Sequence, residues 1–271
     1  MINLYDYSGE VVMDKHQHIV FDENVKGIAH RGYSAIAPEN TLPSYILAAK
    51  KGFKYMETDV CLTSDGVPVL LHDDTIDRTS NGTGTIYNMT LAQVRQYDFG
   101  SWKSSEYTGV QIPTLEEYLS LCRSLMLHPY IEIKDVPFTQ QQVENVVNLV
   151  HKYGLKGKAT IMSFNLTYLE YVKDYDDTMR LGYPPNGVPT VNDLNVCKSL
   201  QTGKNEVFCD PQYNKVTDAI CDMFREEGIP IEVWVVDSES TILSLNPYIS
   251  AVTSNSLHAG RVLYDNSIEN T

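Results

Sequence analysis

The segment KYMETDVC places Glu57 and Asp59 two residues apart. In a strand, positions i and i+2 share a face, so the two carboxylates stand side by side while Met56 and Val60 point the other way. At ~4 Å and an effective dielectric near 20, two such charges repel by about 4 kcal/mol. A bound cation removes that repulsion. The segment PYIEIKD adds a third acid by the same parity, with Ile131 and Ile133 on one face and Glu132 and Lys134 on the other. Glu57, Asp59 and Glu132 together form a hard, all-oxygen donor set, which suits Mg2+ or Ca2+ better than zinc.

Two histidines belong with these acids. His30 ends the apolar stretch GIAH and is followed by Arg31 and Gly32. In CLTSDGVPVLLHDD, Asp65-Gly66 is a hairpin signal. A two-residue loop there sets Ser64 against Val67 and predicts His72 directly opposite Asp59. Imidazoles titrate near working pH, so His30 and His72 suit general acid-base catalysis. Arg31 offers a planar fork of donors for an anionic oxygen. Glu39 can hold Arg31 or His30 from behind. Asn40 or Thr41 can cap the helix that follows. A divalent cation, an anion grip and two proton carriers point to phosphoester hydrolysis.

These residues need strand ends that converge. From Val25 onward, apolar segments alternate with longer helical patterns: VKGIAH, KYMETDV, HPYIEIK, KATIMSF, TMRLGY, NEVFCD, IEVWVV and ISAVTS are the strands. In the helix QQQVENVVNLVHKY, Val143, Val146, Val147 and Val150 lie on one stripe. Eight alternations predict a TIM-type (β/α)8 barrel, an α/β fold whose chemistry gathers at the carboxyl ends of its strands. Residues 1–24 read as an N-terminal extension. Residues 25–271 read as a single barrel domain, with a β-hairpin after the second barrel strand and a small insertion at about 74–112.

The net charge of -14 argues against a nucleic-acid partner, though not against a small anionic substrate held in one cationic cleft. Five cysteines without a C-x-x-C pair read as buried free thiols. MINLYDYSGEVVMDK lacks the pattern of a signal peptide, and no apolar run approaches the ~20 residues of a membrane span. The expectation is a cytoplasmic protein with no stable membrane anchor.

With these residues in place, the chain resembles the glycerophosphodiester phosphodiesterase family. The shared segments are HRG at 30–32, PENT at 38–41, ETDV at 57–60, SDGVPVLLHDDTIDRTSNGTG at 64–84, LAQVRQYDFGSW, IPTLEEYL, IEIK, MSF at 162–164 and VWVVD near Trp234. The resemblance implies a TIM-type barrel in which Glu57, Asp59 and Glu132 bind one divalent cation. It also implies that His30 and His72 are the acid-base pair, with Arg31 and Lys134 near the phosphate. Phe164 and Trp234 look like walls for the glycerol or alcohol moiety. The implied reaction, in glycerol and lipid metabolism, converts a glycerophosphodiester and water to glycerol 3-phosphate and an alcohol. The chain departs from the family where the last strand reads AVTSNSLH, with Ser254 and Asn255 in place of a T-D-x-P-like stretch. A second departure is Asp237, where asparagine is usual.

Other readings remain open on sequence alone. A lysophospholipase D-type hydrolase uses the same core with a longer apolar groove, for which Tyr87, Met89, Phe99 and Trp102 are candidates. A non-catalytic sugar-phosphate binding protein needs no proton carriers. His16-Gln17-His18 matches the H-x-H pair of amidohydrolases but reads as a surface pair.

Overall fold

In a computed structural model, which describes residues 25–269, eight parallel strands close into a barrel. In chain order the strands are β1 (Lys26–Ala29), β2 (Tyr55–Leu62), β3 (Pro68–Leu70), β4 (His128–Ile133), β5 (Thr160–Met162), β6 (Arg180–Tyr183), β7 (Val207–Cys209), β8 (Ile231–Val233) and β9 (Ile249–Ser254). The order around the sheet is β1-β9-β8-β7-β6-β5-β4-β2, and β1 pairs with β2 to close the ring. β3 lies outside the ring as an antiparallel hairpin partner of β2. The helices are α1 (Leu42–Lys50), α2 (Leu91–Val94), α3 (Leu115–Ser124), α4 (Gln140–Lys152), α5 (Leu166–Tyr175), α6 (Val191–Leu200), α7 (Asp218–Glu226), α8 (Glu239–Ser244) and α9 (Ala259–Glu269). The expected TIM-type barrel is therefore the observed fold. No helix among the described residues is long and apolar enough to cross a membrane. The expected N-terminal extension, with His16 and His18, lies outside the described residues.

The main core lies between the ring and its helices. Met56, Val60, Ile131, Ile133, Ile161 and Leu181 point outward from the strands into it, against the valine stripe of α4. Fully burying side chains of this size stabilises by roughly 1.5–3 kcal/mol each. Threonines set the helix starts: Thr114 and Glu117 form a capping box on α3, and Thr139 and Gln142 form one on α4. All five cysteines are free and buried, as expected.

Inside the ring, Ile28, Tyr130, Met162, Phe208 and Ala251 pack together. Towards the amino ends of the strands, the Arg180 guanidinium lies 4.2 Å from the Phe208 ring centre and 2.8 Å from the fully buried Glu232. Lys26 approaches the same carboxylate at 3.4 Å. A buried carboxylate needs such partners, because an unpaired one costs several kcal/mol. The floor is thus filled, and only the opposite mouth is open to chemistry.

The hairpin differs from the sequence expectation by one residue. Leu62 pairs with Pro68, Cys61 with Val69 and Val60 with Leu70. The loop holds three residues, not two. Thr63 N bonds Val67 O at 3.1 Å, Thr63 Oγ1 accepts from Val67 N at 3.0 Å, and Gly66 takes the left-handed conformation at φ 77°. Leu71, not His72, then bonds the Asp59 backbone, at 3.1 Å. A slip of one normally turns every side chain to the other face. His72 is spared because β3 ends at Leu70 and the chain bends at His72.

Candidate active site

Strand parity brings the three acids together. Glu57 and Asp59 rise on the inner face of β2, and Glu132 on β4 is paired directly with Asp59. Their ligand atoms all lie within 4.8 Å of one another. Two cations of the chain answer this charge. Arg31 Nε approaches Asp59 Oδ2 at 2.9 Å, and Lys134 Nζ lies 2.7 Å from Glu132 and 3.4 Å from Asp59. Burial would raise the Asp59 carboxyl, but Arg31 and then Lys134 outweigh it and hold the group well below the carboxylate range. Burial, followed by the charge of Asp59, pushes both Glu57 and Glu132 upward. Three carboxylates therefore share two cations. The Arg31 Nε–H is also left without a well-aligned acceptor despite its short approach to Asp59. A hard divalent cation fits this all-oxygen cluster.

The loop after β1 is wound around the cluster. Arg31 is left-handed at φ 55°, and its backbone N–H reaches Glu57 Oε2 at 2.9 Å. Gly32 follows at φ 81°, where a Cβ would stand within 2.7 Å of Ser44 atoms, so only glycine fits. Asn40 does not cap α1. It is left-handed at φ 54°, donates to Asp59 Oδ2 at 2.9 Å and accepts from Tyr45 Oη at 3.0 Å and Thr58 Oγ1 at 3.1 Å. Thr41 takes the N-cap position, but its hydroxyl bonds Pro38 O instead of a helix amide. The expectation of a capping role was thus wrong for the Asn40 and Thr41 side chains. Bonding the Asp59 carboxylate competes with capping, and Asn40 is committed to Asp59.

The two histidines have unlike partners. His30 Nδ1 lies 2.8 Å from Asn255 Oδ1, which also accepts from Ser34 Oγ at 2.7 Å. The Asn255 amide nitrogen donates to Asp237, and the Asn255 backbone N–H reaches the same carboxylate at 2.8 Å. Burial, then the charge of Arg31, lowers the His30 pKa to about 4. His72 Nδ1 instead meets Asp73 Oδ1 at 2.7 Å. Arg78 grips Asp73 through Nε at 2.7 Å and Glu39 through both terminal nitrogens at 2.8 Å. Glu39 in turn bonds Arg31 at 2.9 Å. The Arg78 bonds, followed by the His72 contact, hold Asp73 down at about 2.

Phe164 and Trp234, from the ends of β5 and β8, meet edge to face with centroids 6.2 Å apart. Trp234 is pinned by its indole N–H, which donates to Asp210 O at 2.8 Å. In the insertion, Phe99 is buried, and Tyr87 and Met89 pack on the core. Trp102 alone of the four groove candidates stays exposed, so they do not line a continuous apolar groove. Sequence reading missed the working partners Asp73, Arg78 and Asn40. The first two carried a signal in D-D-x-x-D-R, where three acids and then an arginine follow His72.

Comparisons with known proteins place the chain in a family. Residues 30–256 match the model of the glycerophosphoryl diester phosphodiesterase family. A glycerophosphodiester phosphodiesterase of Caldanaerobacter subterraneus is 35% identical over 216 residues, covering 78% of this chain and 85% of the relative. One from Bacillus subtilis is 29% identical over 245 residues, covering 82% and 80%. Among solved structures, a phosphodiesterase of Oleispira antarctica in complex with the product sn-glycerol-3-phosphate superposes with a TM-score of 0.79 at 28% identity, covering 90% of this chain and 96% of that one. The chain is a member of the glycerophosphoryl diester phosphodiesterase family and hence a phosphoric diester hydrolase.

Proposed function

We propose that the protein hydrolyses glycerophosphodiesters to glycerol 3-phosphate and an alcohol, with His30 as general base and His72 as general acid. Glu57, Asp59 and Glu132 hold one divalent cation, Mg2+ or Ca2+. When bound, that cation supplies Lewis-acid stabilisation of the phosphate oxygens and of the charge that builds on them. Arg31 and Lys134 add fixed positive charge at the same place. His30 takes a proton from the attacking water as the water oxygen bonds to phosphorus. The bond from phosphorus to the alcohol oxygen breaks, and His72 gives that oxygen its proton. Phe164 and Trp234 flank the organic part of the diester.

The observation that carries the acid-base assignment is the difference between the two partners. Asn255 presents a neutral carbonyl oxygen to His30. Its amide nitrogen is committed to Asp237, so His30 donates from Nδ1 and keeps a free lone pair on Nε2. His72 faces an ionised carboxylate, the partner that an imidazolium needs.

The test is release of glycerol 3-phosphate from glycerophosphocholine, glycerophosphoethanolamine and glycerophosphoglycerol, with a lysophospholipid for comparison. Each is assayed with chelator, Mg2+ or Ca2+, beside thermal shifts with the same ions. Turnover and a raised Tm that both vanish with chelator support the reading. Binding of the ion with no turnover of any diester overturns it.

A further inference from the structure

β7 ends at Cys209, and the next residue, Asp210, keeps the parity of Phe208, whose ring packs inside the barrel. Its side chain therefore faces the interior one level above Phe208, at the mouth. Asp210 is only 6% exposed. Its backbone is fully used: the N–H bonds Tyr183 O at 2.8 Å, and the carbonyl accepts the Trp234 indole at 2.8 Å. Its carboxyl is not used, since no donor among the described residues bonds it. Arg180, the nearby cation, is committed to Glu232, Glu206 and Tyr130. Burial, then the charges of Glu232 and Glu132, favours the protonated carboxyl.

The Asp210 oxygens keep a little contact with solvent, so the carboxyl is open to a ligand that enters the barrel. Asp210 shares its wall with Trp234 and Phe164. An aromatic face beside a carboxyl suits a polyol, whose C–H groups pack on the ring and whose hydroxyls bond the acid. We propose that Asp210 is a specificity-determining residue that reads the hydroxyls of the glycerol moiety, on the wall it shares with Trp234. This rests on the reading of the mouth as a glycerophosphodiester site.

The test compares calorimetric binding of sn-glycerol 3-phosphate with that of ethyl phosphate, which lacks the hydroxyls, in Mg2+ or Ca2+. The proteins are the wild type, Asp210→Ala, Asp210→Leu (which fills the space with apolar atoms) and Asp210→Asn. The wild type prefers glycerol 3-phosphate by about tenfold, the worth of a hydrogen bond near 1.4 kcal/mol. Ala and Leu erase that preference by weakening glycerol 3-phosphate alone. Asn, which still donates and accepts, retains most of it. In kinetics, Ala or Leu raises KM for glycerophosphocholine but leaves kcat/KM for bis(4-nitrophenyl) phosphate unchanged. Equal loss for both phosphates, or no change in any variant, overturns the assignment. If the wild type turns over no glycerophosphodiester yet keeps an Asp210-dependent preference, the hydrolase reading fails and the hydroxyl reading stands. If turnover is present and the preference ignores Asp210, only the hydroxyl reading fails.

Discussion

His30 and Asn255 are 225 residues apart in sequence, and their side chains meet at 2.8 Å across the seam where β1 joins β9. The amide stands between an imidazole and the Asp237 carboxylate, so its orientation is fixed from behind. Replacing Asn255 by Ala frees the ring to turn. We expect kcat to fall about tenfold or more with KM little changed, as for a lost buried hydrogen bond. Asn255→Asp sets a carboxylate against the ring and raises the His30 pKa, so the acid limb of the kcat/KM profile moves to higher pH. An unchanged limb in the Asp variant would show that the ring does not act as the base.

Direct removal of either proton carrier is the stronger test of the chemistry. His30→Ala and His72→Ala should each lower kcat by ~10² to 10⁴. The Tm rise with Mg2+ or Ca2+ should persist in both, because neither ring belongs to the carboxylate cluster. Full turnover in either variant would remove that histidine from the mechanism.

A continuous set of ion pairs runs from Arg31 through Glu39, Arg78 and Asp73 to His72. It ties the loop after β1 to the segment after β3. Arg78 is 44% exposed, so its pairs contribute little to stability, under about 1 kcal/mol each. Its planar fork nevertheless sets the position of Asp73, and through it the His72 ring. Arg78→Lys keeps the charge and loses the fork. We expect a fall in kcat of about tenfold with Tm shifted by no more than a few degrees. A Tm loss that tracks the activity loss would assign Arg78 to the fold instead.

Much of this architecture was legible in the sequence, for identifiable reasons. Period-2 parity in METDV and YIEIK put three acids on one inner face, and the valine stripe of α4 fixed its outer one. The hairpin register was misread because Asp65-Gly66 serves two loops equally well. The Thr63 hydroxyl, by closing on Val67, selects the three-residue form. The Asn255–Asp237 support of His30 depends on ring closure, and local pattern carries no trace of it. The same holds for the Arg180–Glu232 pair in the barrel floor, whose members come from β6 and β8.

Asn40 offers a test of the cation site that does not depend on turnover. Its amide donates to Asp59 Oδ2 while its oxygen is held by Tyr45 and Thr58, so the carboxylate is fixed by a rigid chain of buried bonds. Asn40→Ala should weaken Mg2+ or Ca2+ binding about 10- to 100-fold in calorimetry, the usual cost of losing a partner of a metal-binding carboxylate. Glu57→Gln should weaken it further, by removing a ligand. Wild-type affinity in both variants would place the ion elsewhere.

His258 gives the fold its own acid sensitivity, away from the mouth. Its ring packs 4.8 Å from that of Phe53 and stands close against Gly27, where a Cβ would lie 2.8 Å from it. Burial lowers its pKa to about 4, against ~6.5 in an unfolded chain. Between those values the unfolded state binds a proton that the folded state refuses, so stability falls as the pH drops. The contribution is fully present above pH ~6.5 and is lost as the pH approaches 4. At about 1.4 kcal/mol per pH unit it is worth a few kcal/mol, shared with His30, which titrates over the same window. His258→Gln should therefore flatten the slope of Tm against pH between 6.5 and 4, leaving a residue from His30 and the carboxylates. A slope identical to the wild type would mean that the ring accepts its proton without disturbing the packing on Phe53.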